Sequence, residues 1–266
     1  MNIEKQITIA VLSNSGGAGK TTAVRNIAYE MGRVGLKVAL IDLDPQHNLD
    51  MFCGFPLVNS VKGTIVDVLS EKFDSTWDLT PVPDENIEVC RGHLSMADLP
   101  NELVTRRRSE HVLAEKMLDC PLPHDVILLD CPATLGKICE NAIAAADCIL
   151  IPLILEDKAL TGLSGLMGWL KILIKDLKLM PPPRILGIIP NAYDKSVGTH
   201  RACLEQLQRM SETMNLNLYP TIDYSNEIKN SNANGLPIGK YRPAHKLTQQ
   251  FRTLTSSLLE DCQHHG

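Results

Sequence analysis

Thr8-Ile9-Ala10-Val11-Leu12-Ser13-Asn14-Ser15-Gly16-Gly17-Ala18-Gly19-Lys20-Thr21-Thr22 is a short apolar run that breaks into glycines and ends in a lysine and two hydroxyls. A β-rich run, a tight glycine turn and a helical pattern starting near Lys20 form the setting that a phosphate-binding loop requires. Gly16, Gly17 and Gly19 open backbone dihedrals closed to other residues, and without Cβ atoms they let the loop's backbone N–H groups, that of Ala18 among them, approach phosphate oxygens. Lys20 supplies a mobile charge for the β- and γ-phosphates, reinforced by the positive end of the following helix. The Thr21 hydroxyl suits Mg²⁺, which prefers hard oxygen ligands, and Thr22 is placed to donate to the α-phosphate. A glycine-rich turn that binds nothing is the plainer alternative.

Outward from the loop, Ile7–Leu12 is the first strand and a helix is expected from about Thr21 to Gly32. Val38–Leu43 is nearly all apolar, as a strand buried on both faces should be. Helical pattern returns over 59–72 and, broken near Thr105, between Met96 and Leu118. The region 78–90 is expected to hold a loop and a strand. Further strands are expected at Val126–Leu129, Cys148–Leu153, Ile185–Ile189 and Leu216–Pro220, and helices at Leu135–Ala146, Ala159–Leu177, Thr199–Met214 and His245–Glu260. This alternation predicts an α/β fold: a single, doubly wound, mostly parallel sheet with helices on both faces, as one domain over 1–266.

The 266 residues are 44% hydrophobic, enough for a sizeable core, and carry a net charge of −5. A generally basic surface is thereby excluded, so any DNA binding must come from a local patch. No apolar run reaches the roughly 18 residues of a membrane span and no signal-peptide pattern opens the chain, so a cytoplasmic protein is expected. The eight cysteines include no Cys-x-x-Cys pair and are expected to be reduced and mostly buried.

Three places besides the loop carry acid or amide chemistry at strand ends, the edge where doubly wound folds bind ligands. Asp42-Leu43-Asp44-Pro45-Gln46 ends the second strand, and its acids can face Mg²⁺ and the γ-phosphate. Asp130 ends Val126–Leu129 in the manner of a Walker B acid holding Mg²⁺ through water; a turn-capping aspartate is the alternative. Asn191 follows Ile185–Ile189 with an amide that matches N6 and N7 of adenine, or else forms a turn after Pro190. Arg106-Arg107-Arg108 fits a solvated helix end better than a DNA patch.

Together, the glycine loop, Asp42–Gln46, Asp130-Cys131-Pro132-Ala133-Thr134-Leu135-Gly136 and Ile149–Leu153 resemble the ParA family of deviant-Walker P-loop ATPases. Ala159–Leu163 and Gly235-Leu236-Pro237-Ile238 extend the resemblance over nearly the whole chain. The resemblance implies ATP and Mg²⁺, an ATP-dependent homodimer, non-specific binding of nucleoid DNA and slow hydrolysis stimulated by an adaptor protein. It also implies that Asp44 orients the attacking water.

Two positions depart from that pattern. Where the family carries a signature lysine that crosses the dimer, this chain has Ser15, as does the carboxysome-positioning McdA branch. Lys158, in Glu156-Asp157-Lys158-Ala159, is the candidate replacement; a solvated lysine neutralising its acidic neighbours is the alternative. In partition members, arginines contact DNA in a segment that corresponds here to Asp223–Lys229, with one lysine and two acids. Lys229, Lys240, Arg242, Lys195 and Arg201 are the cations left to form a patch. Two other classes remain open. One is a membrane-cycling MinD-like ATPase, which needs an amphipathic, basic final helix; here Glu260 and Asp261 accompany Lys246 and Arg252, so a helix packed on the sheet is expected. The other is a metallocluster carrier or synthetase of the same P-loop branch.

Overall fold

A computed structural model describes residues 5–58, 60–156 and 158–263. In chain order its elements are β1 Ile7–Val11, α1 Lys20–Arg33, β2 Val38–Asp42, α2 Asn48–Phe52, α3 Ile65–Val68, β3 Thr80–Pro81 and β4 Ile87–Cys90. A 3-10 turn, Leu94–Ala97, leads into α4 Leu99–Val104, α5 Val112–Asp119, β5 Val126–Asp130, α6 Lys137–Ala145 and β6 Cys148–Ile154. The chain continues through α7 Ala159–Asp176, β7 Arg184–Asn191, α8 Gly198–Met214, α9 Asn226–Ala233, α10 Ile238–Tyr241 and α11 Lys246–Gln263.

The strands form one seven-stranded sheet in the order β3-β4-β2-β5-β1-β6-β7. Every pairing is parallel except that of the two-residue edge strand β3 with β4. Pro81 suits that edge, since it has no N–H to give a further strand. The central strands β1, β2 and β5 are apolar because each is covered on both faces. Alternate residues serve opposite layers: Ala10 and Leu12 pack toward α4 to α8, Ile9 and Val11 toward α1 and α11.

The final helix lies on the sheet. Leu247, Phe251, Leu254 and Leu258 recur at three- and four-residue steps and are buried in the same core as Ile27 and Met31 of α1. Each such side chain contributes about 1.5–3 kcal/mol by leaving water. Freeing this face for a membrane would therefore cost about as much as the roughly 5–15 kcal/mol that holds a domain folded. Among the described residues no helix is long and apolar enough to cross a membrane.

Several expectations are corrected. The helix expected over 59–72 shrinks to Ile65–Val68, and Asn59 lies outside the described residues. Gly63 turns at φ +78°, and Thr64 is extended in a bridge to Arg91, so helix cannot begin before Ile65. Leu216–Pro220 is not a strand: only Leu218 bridges to Ile188, with Asn217 O accepting from Ile188 N and Tyr219 N donating to Ile188 O. Pro220 has no N–H to extend that pairing. The short helices α2, α9 and α10 were not expected. Of these, α9 is started by Ser225, whose hydroxyl accepts from Glu227 N.

Candidate functional site

β1 delivers the chain to the carboxyl edge of the sheet, and the glycine loop turns it into α1. Gly17 and Gly19 take positive φ, +75° and +81°, and Gly19 is the N-cap of the helix. Gly16 has no such φ and faces open space, so its contribution is clearance rather than an unusual dihedral. A Cβ on Gly19 would stand 2.1 Å from Asn191 Nδ2, whose amide donates to Ala18 O at 2.8 Å. Asn14 ties the loop to α7 by donating to Gly162 O. Lys20 is buried, and its ammonium curls back to Ser13 Oγ and Ser15 O, each at 3.4 Å.

The loop forms one wall of a cavity of about 670 Å³, within the range of small-molecule sites. Gly16 to Thr22 line it together with Asp44, Gln46, Pro132, Thr134, Gly136 and Lys137. Phe52, Met96 and Pro100 supply an apolar side. Asp44 starts a turn: its Oδ1 accepts from Gln46 N at 2.9 Å and its carbonyl from His47 N.

Asp42 and Asp130 lie just beneath this surface. β2 and β5 pair in register at these two residues, so their carboxyl groups stand side by side, fully buried. Asp42 Oδ1 accepts from Asp44 N at 3.1 Å. Asp42 Oδ2 and both oxygens of Asp130 have no hydrogen-bond partner. Burial, and then the charge of Asp130, push the Asp42 carboxyl well above the usual carboxylate range. Burial pushes Asp130 up to about 7; the Thr21 side chain and Lys20 oppose the rise and Asp44 adds to it. Unpartnered buried carboxylate oxygens are costly unless a cation completes them. Hard oxygens beside a hydroxyl and a phosphate loop fit Mg²⁺, which binds through one or two carboxylates and substrate phosphates. Among the described residues no group of three or more His, Cys, Asp or Glu side chains is placed to hold a metal.

The remaining expected residues are scattered. Lys158 is exposed at the N-cap of α7 and is not part of the cavity lining; Asp157 lies outside the described residues. Lys240 pairs with Glu85 and Arg242 with Glu227, while exposed Lys229 sits over the Tyr224 ring. Arg106 and Arg108 pair with Glu71 and Glu115. Composition and spacing did not single out Lys137, held between Glu110 at 2.7 Å and Glu140 at 2.8 Å, nor Met96 and Phe52. Their signal is tertiary, because each comes from a segment remote from the loop.

Residues 6–180 match the AAA domain family. The chromosome-partitioning ATPase Soj of Thermus thermophilus is 32% identical over 190 residues, covering 70% of this chain and 69% of that protein. The chain belongs to the AAA domain family and, within it, to the ParA/Soj ATPases. The chromosome partitioning protein ParA of Myxococcus xanthus is 30% identical over 200 residues, 75% of this chain and 70% of its own. McdA of Cyanothece, in a structure with ATP, shares the ParA/Soj fold seen here at a TM-score of 0.84 over 95% of this chain and 96% of that one, with 21% identity.

Proposed function

We propose that this ParA/Soj chain is a cargo-positioning or partition ATPase, working as one unit over its length. It binds ATP with Mg²⁺, dimerises, holds nucleoid DNA without sequence preference, and is released when an adaptor stimulates hydrolysis in the cytoplasm. The observation that carries the reading is the pair of buried carboxyl groups Asp42 and Asp130, of whose four oxygens only Asp42 Oδ1 has a hydrogen-bond partner, set beneath a phosphate loop in a nucleotide-sized cavity.

In this reading Gly16, Gly17, Ala18 and Gly19 cradle the phosphates with their amides, and Lys20 leaves Ser13 and Ser15 for the β- and γ-phosphates. Thr21, with Asp42 and Asp130 behind it, holds Mg²⁺, which when bound offsets the charge of the phosphate chain. Thr22 donates to the α-phosphate. Asp44 keeps Oδ2 for the water that attacks in line, a placement that supplies much of phosphoryl-transfer catalysis. Asn191 gives one N–H to Ala18 and keeps Oδ1 and a second N–H for adenine. Lys158 reaches the partner's nucleotide in place of a lysine at Ser15.

Because Lys240 and Arg242 are already paired, Lys195, Arg201 and Lys229 are the cations we assign to DNA. Ser15 favours a carboxysome as cargo over a plasmid or chromosome. A phosphate-release assay with sizing on Asp44→Ala tests the cycle: it should bind ATP and dimerise but turn over at least about 10-fold more slowly. Turnover at the parent rate would refute this role for Asp44.

A further inference from the structure

Thr22 lines the nucleotide cavity, but its hydroxyl is also met from behind. Asn232 of α9, 210 residues away in sequence, points its Nδ2 at Thr22 Oγ1 at 3.2 Å. Asn232 is 8% exposed and does not line the cavity, and its Oδ1 is buried without a partner. A second asparagine strengthens the connection. Asn26 gives its Nδ2 to Thr22 O at 2.8 Å, while its Oδ1 accepts from Ile238 N, at the start of α10, at 2.8 Å. Thr22 is thus tied at both its hydroxyl and its carbonyl to asparagines that reach the α9–α10 segment.

The chemistry of a hydroxyl gives this arrangement a consequence. Threonine has one O–H to donate and two lone pairs to accept with. An amide N–H from Asn232 takes a lone pair, so the Thr22 proton cannot be spent on Asn232 and is left for the cavity side. Accepting a hydrogen bond also makes the hydroxyl a better donor. We infer that Asn232 is a positioning residue that directs the Thr22 proton onto the α-phosphate, so that α9 is held in place by the bound nucleotide through a residue that never touches it. This rests on the reading of the loop as an ATP site. Asn232 is buried and Lys229, one turn earlier on α9, is exposed, so the same link joins nucleotide occupancy to the helix that carries Lys229.

The test is a double-mutant cycle on the full chain, reading equilibrium binding of ATP and of ADP with Mg²⁺, and the melting temperature of each variant. Asn232→Ala should weaken ATP and ADP alike by about 3- to 10-fold, because both carry the α-phosphate. Thr22→Val should do the same, and the double variant should bind no more weakly than Thr22→Val alone. Asn232→Asp keeps the shape of the side chain but accepts the Thr22 proton and adds a negative charge, so it should bind more weakly than Asn232→Ala. Losses that multiply in the double variant, or parental affinity in Asn232→Asp, would overturn the inference and leave the ATP site standing. Equal ATP binding by the parent and by Lys20→Ala would instead overturn the site reading, and this inference with it.

Discussion

Asn191 Nδ2 donates to Ala18 O at 2.8 Å in the space where Gly19 has no Cβ, so the end of β7 and the phosphate loop lock together across 173 residues. The loop is thus held by a residue from a strand two places along the sheet as well as by its own glycines. Asn191→Ala should loosen the loop and weaken ATP by about 3- to 10-fold, the scale of one lost hydrogen bond. If Asn191 also reads adenine, the preference for ATP over GTP should shrink in competition binding. An unchanged ATP-to-GTP ratio would remove Asn191 from the base site.

Gly92 leaves room in the same way for Asp42, one of the two acids proposed to hold Mg²⁺. A Cβ there would lie 3.0 Å from Asp42 Cγ and Oδ2 and 2.8 Å from His47 Cβ. Asp42 cannot move away easily, because it is fully buried at the end of β2. Gly92→Ala is expected to destabilise the fold by about 1–3 kcal/mol by overpacking and to weaken Mg²⁺-dependent ATP binding. Thermal melting and nucleotide titration check the two effects separately. An undisturbed melting temperature would show that the site tolerates the methyl group.

Asp130→Asn separates stability from function. It removes one of two adjacent buried carboxyl groups, so the nucleotide-free protein should gain about 0.5–2 kcal/mol. The gain that Mg²⁺ with ATP gives the parent's melting temperature should be mostly lost in the variant. A destabilised apo variant, or full protection by Mg²⁺ with ATP, would contradict the metal role.

Lys158→Ala addresses the dimer. Lys158 is exposed at the N-cap of α7, where a cation opposes the helix dipole. The variant should bind ATP as a monomer with parental affinity yet fail to dimerise, since one substitution removes two contacts across a two-fold axis. Sedimentation as a full dimer with ATP and Mg²⁺ would leave Ser15 uncompensated by this residue.

The parts of the fold legible in the sequence are those written locally. The strands β1, β2, β5, β6 and β7 announce themselves as apolar runs, and the loop by its glycines before Lys20. Asp42 and Asp130 could be assigned to strand ends, but not seen to stand in register, because register is a property of strand pairing. The contraction of the helix over 59–72 turns on Gly63 and on the bridge from Thr64 to Arg91, a residue 27 positions on. Asn232 sits in a run of asparagines and serines that suggests a loop; only its approach to Thr22 gives it a role. Lys137 carries its signal in Glu110, which no spacing rule connects to it, although Glu140 at i+3 is a pattern that helices do display.

ATP binding by the parent and by Lys20→Ala, titrated with Mg²⁺ present, tests the central claim most directly. The account expects the parent to bind and Lys20→Ala, which keeps the loop backbone but loses the ammonium now held by Ser13 and Ser15, to bind at least about 100-fold more weakly. Binding by Lys20→Ala within a few-fold of the parent would contradict the assignment of this loop as the phosphate site.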